Sequence, residues 1–158
     1  MLALASRGVR ASLVRLPPIV HGDGDRGGFV PRLIGVARKK GFSAYIGDGR
    51  NRWPAVHRLD VAHLFRLALE KGEAGGKYHG VAEEGIPFRD IAGVIGRRLN
   101  VPVVAKTSKE AASLLSLLAS FLSVDNPVSS QRTRERLGWQ PKHSGVIPDI
   151  DNARYFEK

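Results

Sequence analysis

A pair of prolines cuts short a buried apolar run near the start of the chain, and that cut limits what can follow. Ser12 to Leu16 reads as a short strand, and Pro17-Pro18 stops it, because proline has no backbone donor to give a sheet ladder. After Ile19-Val20 comes a glycine-rich loop, and an amphipathic helix begins near Phe29. Strand, rigid turn, loop and helix in that order make a unit of the α/β kind. In open α/β sheets ligands bind beyond the carboxyl ends of strands, so Pro17 to His21 are expected to form one wall of any ligand pocket.

Downstream, the periodicity places a helix over Phe29 to Lys40 with Gly41 as its stop, and a strand over Phe42 to Ile46. Trp53 to Arg58 reads as extended, with Pro54 marking a sheet edge. Asp60 is placed to cap a helix from Val61 to Lys71, whose core face is Val61, Leu64, Phe65, Ala68 and Leu69. A strand over Lys77 to Ala82 precedes a turn and a helix from Pro87, at the first helical position, to Leu99. Val101 to Lys106 reads as a strand. Ser108 to Val124 is a helix with a wide apolar surface, Leu114, Leu115, Leu117, Leu118, Phe121 and Leu122. Ser129-Ser130 opens a short helix that ends at Gly138, and the stretch from Lys142 carries little signal.

The chain of 158 residues suits a single domain, and 42% hydrophobic against 25% charged residues excludes a disordered or fibrous protein. With no cysteine it holds neither disulfides nor thiolate metal sites, which favours the cytoplasm. Met1 to Ala5 is too short for a secretory or membrane segment, and no stretch reads as a membrane span. The net charge of +10 permits nucleic-acid binding but does not diagnose it, since the basic residues are scattered and no aromatic residues are interleaved among them.

Gly22-Asp23-Gly24-Asp25-Arg26-Gly27 matches the G-x-G-x-x-G spacing of a dinucleotide site, with Asp48 about twenty residues on. Against that reading, Asp23 and Asp25 would set two carboxylates beside a pyrophosphate, and the prolines break the strand before the loop arrives. A surface loop is the preferred assignment. Among His21, His57, His63, His79 and His143 no pair has metal-ligand spacing with a carboxylate partner, so no metal site is expected. There is no G-x-S-x-G elbow.

At Pro17-Pro18-Ile19-Val20-His21-Gly22, at Trp53-Pro54-Ala55-Val56-His57-Arg58-Leu59-Asp60-Val61-Ala62, and at Leu137-Gly138-Trp139-Gln140-Pro141, the chain resembles the extended and atypical short-chain dehydrogenase/reductases, nearest the NAD-dependent epimerase/dehydratase group. The first segment is similar to that family's R-P-x-x-V-Y-G turn, with His21 in place of Tyr and Leu16 added before the prolines. The second is similar to its H-V-x-D-[VL]-A segment, and the third to its L-G-[WY]-x-P ending. The resemblance implies an α/β chain with a partial Rossmann-type parallel sheet and a small helical substrate-binding lobe. It also implies a nicotinamide cofactor, NAD or NADP, and a small-molecule substrate. Pro17, Pro18 and Val20 would line the nicotinamide side, while His21, Arg52, Trp53 and His57 would face substrate. In the family an Arg shortly before H-V-x-D holds substrate phosphate; here Arg52 lies one residue too far upstream and Trp53 takes its place, which suits a less charged substrate.

The family's T-G-x-x-G-x-x-G motif and its Tyr-x-x-x-Lys pair, in which Tyr is the general acid/base, are not found in these residues. Residues 1–158 are therefore expected to be one domain equivalent to the C-terminal part of such an enzyme, without the nucleotide-binding half, and to bind the cofactor weakly or not at all. No residue is assigned as catalytic. The competing reading is a non-catalytic module that docks on a partner, or dimerises, through the Leu114 to Leu122 face; a basic nucleic-acid binder stands third.

Overall fold

The computed structural model describes residues 7–115 and 121–157. The first strand, β1 (Leu13–Arg15), pairs in parallel with β5 (Lys77–His79), setting Val14 opposite Tyr78. Past the prolines the chain enters β2 (Ile19–His21), the outer strand of a three-stranded sheet. There β2 runs parallel to β4 (Arg52–His57), and β4 runs antiparallel to β6 (Glu83–Pro87). A further parallel pair joins β3 (Ser43–Ile46) to β7 (Val103–Lys106). The parallel α/β arrangement inferred from the strand and helix signals is present, and the lobe beside it is built on two small sheets as well as helices.

The helices are α1 (Phe29–Lys40), α2 (Arg58–Lys71), α3 (Phe88–Leu99), α4 (Ser108–Leu115), α5 (Gln131–Leu137) and α6 (Val146–Ile150), followed by a 3₁₀ turn at Ala153–Tyr155. Leu33 and Ile34 of α1 meet Ile91 and Ile95 of α3 in one core, closed by Trp53, Ile86, Val146 and Ile150. A second core gathers Leu64 and Ala68 of α2 around Val56, Tyr78, Leu137 and Trp139. The three-residue connection through Leu16 and the prolines thus joins two separately packed bodies of apolar side chains.

Four expectations are corrected. Pro54 lies in the central strand of its sheet; the β4–β6 ladder is irregular between Trp53 and Ala55, so the missing donor falls where pairing is already broken. Glu83–Pro87, read as a turn, is β6, and Pro87 closes that strand before α3 starts at Phe88. Asp60 does not cap α2: His57 does, its ring accepting from Leu59 N–H. Phe65 and Leu69, assigned to the core, are 44% and 71% exposed. Of the long apolar helix, only Ser108–Leu115 and the residues from Phe121 onward fall among the described residues, so Leu117 and Leu118 lie outside them.

Candidate functional site

Strand pairing brings two of the residues singled out above together. In the parallel β2–β4 ladder His21 stands opposite His57, and their rings meet edge to face at 5.4 Å. His143, arriving from the C-terminal stretch, stacks on His57 at 4.6 Å with the planes within 9°. His21 is 1% exposed, at the carboxyl end of β2.

Charges from the C-terminal stretch complete the cluster. His21 Nδ1 and Asp149 Oδ2 are 2.8 Å apart. Arg154 donates to the other oxygen of Asp149, and the Tyr155 hydroxyl lies 3.2 Å from Oδ2. Gly22 N–H donates to the Tyr155 hydroxyl at 2.8 Å. Burial, with Asp149 and Asp25 nearby, pushes the Tyr155 phenol above its usual range, so it stays a neutral donor. Asp25 Oδ1 accepts from Gly28 N–H at 2.9 Å, at the start of α1, and burial pushes its carboxyl up. The glycine-rich loop therefore closes on its own carboxylate at the start of α1. His21 Nε2 and Asp25 Oδ2 are both buried without a hydrogen-bond partner.

His57 is locked into one neutral tautomer. Its Nδ1 accepts Leu59 N–H at 3.3 Å, which leaves the proton on Nε2. Burial, and then the neighbouring His21 and His143, pull its pKa below the ordinary histidine value. Gly22 lies against it with φ +134°, a conformation L side chains rarely adopt, and an added Cβ would stand 2.9 Å from His57 Nε2. Gly22→Ala is expected to cost about 1–3 kcal/mol in urea unfolding; a change under about 0.5 kcal/mol would mean that the turn is not held this way.

Asp60 does its work on the far side of His57. Its carboxylate accepts from the backbone N–H of Lys142 at 2.9 Å, the backbone N–H of His143 at 3.1 Å and the His143 ring at 2.8 Å. Burial alone would push this carboxyl up, but those hydrogen bonds outweigh it and its pKa lies below the usual range. A lowered carboxyl pKa contributes stability that is present above the unfolded value of about 3.9 and lost as pH falls through the folded value. Asp60→Asn should therefore cost about 2 kcal/mol at pH 7. The gap between the two proteins should narrow below pH 4, read from urea midpoints across pH 3 to 7.

Against known proteins, this chain is 60% identical over 155 residues to an uncharacterized protein of Schizosaccharomyces pombe, matching 98% of this chain and 52% of that one. It is 53% identical over 149 residues to an uncharacterized protein of Saccharomyces cerevisiae, matching 94% of this chain and 50% of that one. The chain spans about half the length of these curated relatives. No family model matches it. Among solved structures it is similar to a dTDP-glucose 4,6-dehydratase from Streptomyces venezuelae with NAD bound, at TM-score 0.69 and 19% identity, over 98% of this chain and 46% of that one. It is also similar to a human epimerase family protein with NADPH, at TM-score 0.68 and 23% identity, over 90% of this chain and 48% of that one. The fold is that of the epimerases and dehydratases. It is shared over roughly half of each.

Within that fold the other singled-out residues are placed as follows. Pro17 is buried and Pro18 half-buried in the link between the two packed bodies, and Val20 is half-buried in β2. Arg52 and Trp53 lie at the opposite end of β4 from His57, about 16 and 13 Å away at strand rise. Arg52 forms a two-pronged pair with Asp125, at 3.1 and 2.9 Å, and the guanidinium holds that carboxyl down at about 2. Trp53 is 2% exposed, donates to the Val124 carbonyl at 3.2 Å, and has Phe29 and Phe88 against its ring. The structure thus joins His21 to His57 and separates both from Arg52 and Trp53.

Sequence reasoning missed Asp149, Arg154 and Tyr155. Asp149 sits within a short run, Val146 to Ile150, whose outer apolar residues are fully buried, and Arg154 and Tyr155 follow it. The available signal was that spacing together with a carboxylate inside it, too brief to establish a period. Beside them an open cleft of about 600 Å³ is lined by Asp25, Arg26, Arg38, Arg154, Tyr155 and Glu157, among others. Among the described residues, no group of three or more His, Asp or Glu side chains is arranged to hold a metal ion, and no helix is long and apolar enough to cross a membrane.

Proposed function

We propose that these 158 residues form the substrate-side part of an NAD(P)-dependent oxidoreductase or epimerase of the short-chain dehydrogenase/reductase type, catalytically incomplete by themselves. The observation that supports this best is the recurrence of the fold, over 98% of this chain, in a dehydratase that holds NAD. In this reading Pro17, Pro18 and Val20 lie along the nicotinamide and His21 and His57 face the substrate side. His21, held at Nδ1 by Asp149, presents Nε2 as its remaining ring nitrogen on that side. Arg52, paired with Asp125, and Trp53, packed in the core, support the lobe instead of touching substrate.

The residues fit one end of a dinucleotide only. Among those described, the glycine-rich loop is closed by Asp25 on Gly28 and leaves no cradle for a pyrophosphate. The chain alone should therefore bind NADH or NADPH no tighter than millimolar by calorimetric titration. Exchanged for the matching 155 residues of the Schizosaccharomyces pombe relative, it should support micromolar binding of one of the two. Micromolar binding by the chain alone would overturn its incompleteness. A folded hybrid that binds neither nucleotide would overturn the cofactor reading.

A further inference from the structure

We infer that the cleft between α1 and the C-terminal turn is a binding site for a small phosphomonoester, separate from the wall at His21 and His57. Three segments build it: Arg26 comes from the glycine-rich loop, Pro31, Gly35 and Arg38 from α1, and Arg154 and Glu157 from the end of the chain. None of Pro17, Pro18, Val20, His21 or His57 lines it. Pro31, Gly35 and Arg38, spaced i, i+4 and i+7, lie on the side of α1 turned away from Leu33 and Ala37, which are buried in the core. At about 600 Å³ the cleft has the size of a metabolite site.

Charge selects the ligand. Arg154 is matched by Asp149, and Asp25 is closed on Gly28 with its carboxyl pushed up by burial. Arg38 donates to the Phe156 carbonyl, a contact that fixes the guanidinium without cancelling its charge. Arg26 is exposed and has no ion-pair partner among the described residues. Two guanidiniums, Arg26 and Arg38, therefore share the cleft with one exposed carboxylate, Glu157, while Asp23 lines only the adjoining recess. A planar carboxylate ligand fills one guanidinium fork, whereas the three terminal oxygens of a phosphomonoester serve both.

Gly35 is a second, independent sign. Glycine in the middle of a helix is destabilising, and it is the residue that lets a ligand approach the backbone closely. No neighbouring group requires it here: a Cβ at Gly35 would meet nothing within 4 Å, and Gly35 itself lines the cleft. The floor is thus left bare beside the arginines, and Pro31 and Ile34 offer apolar contact to the carbon skeleton of the ligand.

The test is calorimetric titration of the chain with glycerophosphate, inorganic phosphate and succinate, at one ionic strength set with potassium chloride so that general screening is constant. Glycerophosphate is expected to bind more tightly than inorganic phosphate, and both more tightly than succinate. Arg26→Ala and Arg38→Ala should each weaken glycerophosphate about tenfold, the loss of one charge-assisted hydrogen bond. The chain carries a net charge of +10, so Arg132→Ala, which removes the same charge from α5, is the control and should leave the affinity unchanged. Glu157→Gln should tighten binding. Gly35→Leu fills the cleft and improves the helix, so it should weaken binding about tenfold or more while melting no lower than the parent, which separates loss of the site from loss of the fold. Succinate binding more tightly than either phosphate, or inorganic phosphate binding as tightly as glycerophosphate, would overturn the choice of ligand. No binding, binding indifferent to Gly35→Leu, or a loss in Arg132→Ala equal to that in Arg26→Ala would overturn the site.

Discussion

Asp149→Ala is expected to lower the unfolding free energy by about 3–5 kcal/mol, the range for removing one partner of a buried ion pair. Asp149 is almost wholly buried, and it meets His21, Arg154 and the Tyr155 hydroxyl at once. Its loss strands the imidazole, whose Nε2 already has no partner, and frees the turn that Tyr155 ties to Gly22. Tyr155→Phe removes only the hydroxyl and should cost about 1 kcal/mol, the usual net value of one hydrogen bond. Urea unfolding of the three proteins at pH 7 decides it. An Asp149→Ala variant within 1 kcal/mol of the parent would show that the carboxylate does not organise the cluster.

Trp139→Ala should be of similar size, about 3–5 kcal/mol, the range for truncating a buried aromatic residue. Trp139 is 0% exposed in the core around α2, and its indole N–H donates to the Asp60 backbone carbonyl at 3.0 Å. The substitution opens a cavity and removes the indole bond to the Asp60 carbonyl. It also loosens the segment that delivers His143 to Asp60 and His57. Trp139→Phe, which keeps much of the volume and loses the N–H, should fall between the parent and the alanine variant. If Trp139→Ala melts within a few degrees of the parent, that segment contributes little to the fold.

These two residues show how far the amino-acid order could be read. Leu137-Gly138-Trp139-Gln140-Pro141 and the segment around Asp60 read as separate motifs along the chain, and the structure makes them one unit through the Trp139 and Lys142 hydrogen bonds to Asp60. Helices with a sustained apolar period, such as Phe29–Lys40 and Phe88–Leu99, were legible to within a residue. Glu83–Pro87 was not, because Glu-Glu-Gly-Ile-Pro has a turn's composition and becomes a strand only by pairing with a neighbour thirty residues earlier. The histidine pair was half legible. His21 and His57 were each singled out, but their meeting depends on strand register, and the carboxylate that orients His21 comes from 128 residues away.

The same register carries a penalty for error. Were β2 to slip by a single position against β4, every side chain of that strand would change faces, Val20 would take the place of His21, and Asp149 would confront a hydrocarbon. Misaligned pairing would take the imidazole from Asp149 Oδ2 and leave that oxygen the Tyr155 hydroxyl alone, so the electrostatics of the cluster act as a proofreading device for the strand beside it.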